Sequence, residues 1–262
     1  MAIELFDTHC HIQSAGRDGG EPSTRALWAK SESSIDEIIL RAQNKGVSRM
    51  LCVGCDLADS RLAIDCVRGR GNVYASIGIH PHEAAVALQN GHLDAFAALA
   101  VSPKVVAVGE TGLDYFYNHS PKEAQIEVLK FQLDLASKHN LPLIFHVRDA
   151  LDDFWPIFDS YPGLRGVLHS FTDTQVHLQQ AIERKLYIGV NGIATFSKQS
   201  EQLEMYRTIP LENLLLETDA PFLTPAPYRG TICEPYHVRT TADFLSQLRG
   251  DNVEALAKAT TW

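Results

Sequence analysis

Short apolar runs alternate along the chain with longer segments in which apolar residues recur at helical spacing. In the segment before the second run, the apolar positions fall at i, i+3, i+4 and i+7, which are Ile35, Ile38, Ile39 and Ala42. The runs are rich in β-branched residues and predict eight strands, over residues 3–9, 48–55, 72–80, 104–110, 141–147, 165–171, 186–192 and 213–219.

These strands are apolar almost throughout, which is typical of a parallel sheet covered on both faces by helices. Eight such strands in 262 residues predict an α/β fold, a (β/α)8 TIM barrel that fills residues 1–262 as a single domain. A doubly wound open sheet is the alternative. No GxGxxG motif follows the first strand, which counts against the dinucleotide-binding version of that fold.

One segment, residues 14–32, is rich in Gly, Ser and charged residues and directly follows the first strand. In a barrel it would be the first loop on the face where active sites lie. We therefore expect 14–32 to be an irregular, enlarged active-site loop that shapes the substrate entrance.

Composition restricts the function classes and the compartment. A formal net charge of −9 counts against a broad basic surface for nucleic acid or anionic membrane, but it leaves room for a local anion site built from metal ions. The five cysteines make an odd number for a disulfide framework, and the N-terminus lacks the pattern of a signal peptide. No apolar stretch is long enough to span a membrane, so we expect a cytoplasmic protein that does not bind membranes.

Six ionisable residues stand where predicted strands end, at positions that a barrel brings to one small area: His9, His11, Glu110, His146, His169 and Asp219. Unpaired ionisable groups are costly to bury there, and a metal centre removes that cost. Nitrogen and carboxylate donors suit Mg, Mn, Zn, Ni or Fe, which the sequence does not distinguish. Six donors exceed the four of a closed zinc site, so two divalent ions are the simplest arrangement.

The residues of these motifs and their order along the chain resemble the TatD family of metal-dependent hydrolases, a branch of the amidohydrolase-like barrels. The matching segments are FDTHCHI (6–12), GIHPHE (78–83), VGETGLDY (108–115), HVRDA (146–150), LHSF (168–171) and LLETDAPFLTP (215–225). The resemblance implies a (β/α)8 barrel that holds two divalent ions. In it, His9, His11 and Asp219 would bind one ion and His146 and His169 the other, with Glu110 bridging both.

The same resemblance implies a hydrolase of the EC 3.1 class, a deoxyribonuclease with 3′-5′ exonuclease character that uses a water activated by two metal ions. Glu110 and Asp219 would be the catalytic residues, with Asp219 as the proton acceptor. The expected partner is DNA or a nucleotide-like substrate, at single-stranded ends, and the expected state is a monomer. A hydrolase of a small-molecule amide, ester or phosphate ester is the alternative, and the acidic net charge favours it.

Several neighbouring residues receive secondary predictions. His80 ends the third predicted strand and is expected to contact a substrate phosphate, while His82 is expected to be a solvated loop residue. Arg148 is a candidate for pairing with a phosphate or with Asp149. Asp114 would orient ligands or order a loop. Five further histidines are expected at the surface: His92, His119, His139, His177 and His237.

The aromatic run Tyr115–Tyr117 leaves two roles open, stacking on a base of a single strand or covering the rim of the barrel. Two segments depart from the family pattern. The loop 14–32 is longer than in relatives, which bears on substrate preference, and the chain ends at ALAKATTW where relatives continue.

Overall fold

The computed structural model describes residues 3–261 and contains the predicted strands. Strands β1 to β8 cover Leu5–Cys10, Val47–Val53, Val73–Ile77, Val105–Asp114, Leu143–Arg148, Gly166–Leu168, Tyr187–Val190 and Leu214–Leu216. They form one sheet in the order of the sequence, β1-β2-β3-β4-β5-β6-β7-β8. The pairs β3–β4, β4–β5, β5–β6 and β7–β8 are parallel.

Helices follow the strands along the chain. Helices α1 to α11 cover Pro22–Ser31, Ile35–Asn44, Leu57–Val67, Ala84–Gln89, Leu93–Ala97, Lys122–His139, Leu151–Asp159, Gln175–Glu183, Ser200–Thr208, Val238–Arg249 and Val253–Thr261. A doubly wound sheet would place β1 in its interior. Here a parallel bridge joins Cys10, at the end of β1, to Ala220, just after β8. The predicted (β/α)8 TIM-barrel class is therefore confirmed.

The chain divides into two compact units. Within the described residues, the first unit combines 3–18, 22–51 and 170–261, and the second combines 19–21 and 52–169. A single domain over 1–262 stays a prediction. The chain end at Trp262 lies outside the described residues. Among residues 3–261, no helix is both long enough and apolar enough to cross a membrane.

In the first unit, β1 is buried at every position except Phe6, even though Asp7, Thr8 and His9 are polar. Helix α2 buries the predicted stripe of Ile and Ala residues. Its start is fixed by a capping box, in which the Ser34 hydroxyl accepts from the Glu37 N–H and the Glu37 carboxylate accepts from the Ser34 N–H. Local sequence signals and burial thus agree here.

The segment 14–32 is only partly irregular, because residues 22–31 form helix α1. The glycines stop at Gly20, and the following residues favour a helix that begins with Pro22 in its first turn. Trp28 is 1% exposed, and its indole N–H donates to the carbonyl oxygen of His11 at 2.8 Å. The role of 14–32 as an enlarged active-site loop stays a prediction.

One of the five predicted surface histidines is buried, so that prediction is wrong for His237. Its side chain is 2% exposed, and its Nδ1 accepts from the N–H of Glu234 at 3.0 Å. Burial lowers the pKa of His237 to about 4. The ring of His237 lies against those of Tyr236 and Tyr228, with centroids 4.1 Å and 5.3 Å away, a packing that its loop context did not indicate.

Candidate active site

The first unit brings together three predicted metal ligands, His9, His11 and Asp219, which we call the first ligand group. His9 lies in β1 and His11 follows it, so alternate positions of an extended chain place both side chains on one side. The Asp219 N–H donates to the carbonyl of His9 at 2.8 Å, and the His11 N–H donates to the carbonyl of Ala220 at 2.7 Å. These backbone bonds set the three side chains next to one another.

The donor atoms of the first ligand group fit one divalent ion. His9 Nε2 and His11 Nε2 are 3.1 Å apart, and Asp219 Oδ1 lies 3.6 Å and 3.3 Å from them, respectively. Donors held about 2.1 Å from an ion at tetrahedral or octahedral angles are about 3.0 to 3.4 Å apart. Imidazole nitrogen with carboxylate oxygen is also a donor set that such ions accept.

A buried carboxyl group, Asp7, supports this arrangement from within β1. Its Oδ1 accepts from the N–H of Thr218 at 2.9 Å and of His9 at 3.4 Å, and its Oδ2 accepts from the Thr218 hydroxyl at 2.6 Å. Burial raises the pKa of Asp7, and these hydrogen bonds oppose the rise. Sequence reasoning missed this role, although an acidic residue within the apolar run LFDTH was a visible signal.

The second unit gathers three histidines around the carboxylate of Glu110, and we call Glu110, His80, His146 and His169 the second ligand group. Oε1 of Glu110 lies 3.0 Å from His146 Nδ1, 3.7 Å from His80 Nε2 and 3.8 Å from His169 Nε2. Glu110 is 4% exposed and His169 is 8% exposed. The predicted ligands Glu110, His146 and His169 therefore lie together, and His80 joins Glu110 and His146 as a candidate ligand.

Strand β4 does not end at Glu110, as the sequence predicted, but continues to Asp114. The continuation pairs Gly112 with His146 and Asp114 with Arg148 of β5. Gly112 has a φ of +148°, and a Cβ at this position would lie 1.9 Å from the carbonyl oxygen of His146. The glycine thus permits a close approach of β4 to β5 that any side chain would prevent.

The extension of β4 delivers Asp114 to the two histidines that flank it. Its Oδ2 accepts from His146 Nε2 at 2.8 Å and from His82 Nε2 at 3.1 Å. Burial would raise the pKa of Asp114, but the bonds from His146 and His82 hold it well below its usual range. Burial likewise would lower the pKa of His146, but its bonds to Asp114 and Glu110 raise it to about 8.

Helix α6 fixes the backbone on which this group stands. Gln132 binds both backbone groups of Ile79, its Oε1 accepting at 2.8 Å and its Nε2 donating at 3.0 Å, directly before His80. Gln125, seven residues earlier on the same face, binds the N–H and the carbonyl of Asp114 in the same way. Both glutamines are buried, so each replaces a backbone partner that the strands do not supply.

The remaining predicted residues occupy different surroundings. His82 is only 25% exposed at its side chain and bonded to Asp114, so its expected place in a solvated loop is wrong. Burial, with His146 next, lowers the pKa of His80 well below its ordinary value. Arg148 is exposed, and its guanidinium carbon lies 4.2 Å and 4.9 Å from the ring centroids of Phe116 and Tyr117. Its role as a phosphate contact stays a prediction.

Comparison with known proteins places these groups in a family. The family described as TatD related DNase matches residues 6–262. This chain belongs to the TatD-related DNase family. It is 34% identical to the uncharacterized metal-dependent hydrolase YabD of Bacillus subtilis (strain 168), over 98% of this chain and 96% of that protein. It is also 34% identical to the 3′-5′ ssDNA/RNA exonuclease TatD of Shigella flexneri serotype 5b (strain 8401), over 93% and 95%.

Among solved structures, the chain is similar to the TatD homologue YjjV of Escherichia coli K12. The TM-score is 0.84 at 27% identity, over 99% of this chain and 96% of YjjV. The TatD-related chain is thus a metal-dependent hydrolase, as its motifs predicted. The resemblance read from the sequence is confirmed, and the prediction of an enzyme with it.

Proposed function

We propose that this enzyme is a divalent-metal-dependent phosphodiesterase that removes nucleotides from the 3′ ends of single-stranded DNA. The observation that carries the proposal is the clustering of imidazole nitrogens and carboxylate oxygens. The donor atoms of His9, His11 and Asp219 lie within 4.8 Å of one another, and so do those of His80, Glu110 and His146. Nuclease-named relatives support a nucleic acid substrate, and the name of the Shigella protein makes RNA a second polymer to test.

We propose two ions for each chain. His9, His11 and Asp219 would hold one, and Glu110, His146 and His169 would hold the other. The separations of 3.1 to 3.6 Å in the first ligand group support this assignment. In the second, His80 lies as close to Glu110 as His169 does, which makes it an additional candidate donor or, as its sequence context predicted, a contact for the substrate phosphate.

Divalent ions bound here would supply Lewis acidity toward a phosphoryl oxygen and would lower the pKa of water. Asp219 is the carboxylate best placed to accept the proton of the attacking water. Its side chain is 16% exposed, whereas that of Glu110 is 6% exposed and that of Asp114 is fully buried. Water reaches Asp219 more readily, so Asp219 acts as the general base, while Glu110 serves as a metal ligand.

Two further predictions go with this function. A cytoplasmic location agrees with the cysteines, all five of which lie in the described part of the chain without forming a disulfide bond. A monomer is the proposed state. Fractionation of the native cell and light scattering of the purified protein test these two points.

The test of the proposed function combines metal analysis with product mapping. Wild type and Glu110→Ala are dialysed, their metal content is measured, and both are incubated with 5′-end-labelled single-stranded DNA. We expect a ladder of products that shorten by single nucleotides from the 3′ end in wild type. We expect no ladder and less bound metal in Glu110→Ala.

Salt dependence separates the proposal from its alternative. Phosphate contacts make nuclease action on DNA weaken as salt concentration rises. Turnover of small esters that is insensitive to salt, with no attack on DNA, would contradict the nuclease. Full activity after exhaustive chelation would contradict metal dependence itself.

A further inference from the structure

Two aromatic side chains stand exposed on the turn that follows β4. Phe116 is 55% exposed and Tyr117 is 51% exposed, and their rings meet edge to face with centroids 4.8 Å apart. Exposed aromatic rings lose the free energy that burial would give them, so a pair of them beside a candidate active site indicates a surface for a ligand.

The turn is held by the same carboxylate that contacts His146. Oδ1 of Asp114 accepts from the N–H of Phe116 at 3.0 Å and of Tyr117 at 2.9 Å, while its Oδ2 accepts from His146. The Tyr117 ring also lies 5.6 Å from that of His82. Both rings are therefore fixed at a short distance from the second ligand group rather than carried on an independent loop.

A cation completes the surface. The guanidinium of Arg148 lies over both rings, and β4–β5 pairing places Arg148 opposite Asp114. A guanidinium stacked on an aromatic face keeps its N–H edge available for a phosphate. Of the acidic groups nearby, Asp153 is engaged by the Tyr115 hydroxyl at 2.9 Å. Flat aromatic faces next to a cation match the chemistry of a nucleotide, which has a flat base and an anionic phosphate.

We propose that Phe116, Tyr117 and Arg148 form a subsite for one nucleotide of a single-stranded nucleic acid. A base stacks on the parts of the two rings that Arg148 and His119 leave uncovered, and Arg148 binds the phosphate beside it. The inference rests on the proposed function and deepens it, because it gives a chain of net charge −9 a local binding site for the end of a nucleic acid strand. Stacking accepts any base, so the subsite would confer little sequence preference.

The test uses the double variant Phe116→Ala/Tyr117→Ala, with Tyr187→Ala as the matched control. Tyr187 is a 41% exposed aromatic residue at the start of β7, the strand end opposite to the one that carries the ligands. The substrates are a ten-residue oligothymidylate and an abasic oligonucleotide of the same length. We expect KM for the oligothymidylate to rise about tenfold or more in the double variant, from the loss of base stacking.

The abasic substrate separates stacking from a general structural fault. In wild type the abasic oligonucleotide should have the higher KM, and that difference should disappear in the double variant but persist in Tyr187→Ala. Arg148→Ala should reduce the slope of log affinity against log salt by about 0.7, the value for one single-strand phosphate. An unchanged KM for oligothymidylate in a folded double variant would overturn the subsite.

Equilibrium binding of the labelled oligothymidylate in EDTA keeps this inference apart from the proposed function. Binding that the double variant loses would support the subsite even if wild type hydrolysed no DNA. If wild type hydrolysed DNA and all variants bound the oligothymidylate equally well, the proposed nuclease function would be supported and the subsite would be overturned.

Discussion

The two ligand groups are held in place by different kinds of hydrogen bond. In the first, backbone bonds between the end of β1 and the residues after β8 set His9, His11 and Asp219 side by side. In the second, side chains orient one another, since Glu110 and Asp114 each accept from His146. We infer that the geometry of the first group follows from strand pairing, whereas that of the second depends on the ionisation of its own members.

The largest expected effect comes from the centre of the second group. Glu110→Gln keeps the shape of the side chain but removes a charged donor, so hydrolysis should fall by about 10³-fold or more, the several kcal/mol that a catalytic ion supplies. Activity assays and metal analysis on the same preparation check this. Retention of a tenth of the activity with full metal content would show that Glu110 is not a ligand.

Next comes Asp114, which touches the ligand group without being a predicted ligand. Asp114→Asn removes the charge that orients His146 and His82, so metal affinity or activity should fall about 10- to 100-fold. Asp243→Asn is the control, because Asp243 forms a partly exposed pair with Arg239. Metal titration of both variants measures the effect. Equal affinities would show that strand pairing positions the second group as well.

The matching change beside the first ligand group is Asp7→Ala. It leaves the buried N–H and hydroxyl of Thr218 without their carboxyl partner, so the free energy of unfolding should fall by about 1 to 3 kcal/mol. Urea denaturation in EDTA measures this loss without a contribution from metal. A variant with unchanged stability and weakened metal binding would reverse the proposed contrast between the groups.

The smallest effect concerns pH and His237, in the same compact unit as the first group. Because burial lowers the pKa of His237 from 6.5 to about 4, the unfolded chain binds a proton more readily over that range. The contribution of the neutral His237 side chain to the free energy of unfolding is therefore complete above pH 6.5 and is lost as pH falls toward 4.

At pH 5.5 this loss should be about 1 kcal/mol. His237→Gln should lose correspondingly less stability than wild type between pH 7 and pH 5.5, as measured by urea denaturation at the two pH values. Identical pH dependence in wild type and variant would remove His237 as a source of acid sensitivity.

Much of the candidate site could be predicted from the chain alone. His9 and His11 stand two apart at the end of an apolar run, and Glu110, His146, His169 and Asp219 each follow such a run. Because the sheet is parallel, each of these strand ends lies beside the same end of a neighbouring strand. His82 and Asp114 could not be assigned, because their bond joins the turn after β3 to the last residue of β4, two positions that local sequence does not relate.

The sequence by itself determined the order of the strands, six of the candidate ligands and the family. Periodicity, strand ends and motifs are local properties, so they can be recognised in the amino-acid sequence without the structure. Only the tertiary structure decided that β4 continues to Asp114, that α6 clamps the backbone before His80, and that Arg148 lies over Phe116 and Tyr117. These features depend on how closely two backbones approach. Gly112 allows such an approach, but a glycine in the sequence does not reveal it, because the role of a glycine is set by its neighbours in space.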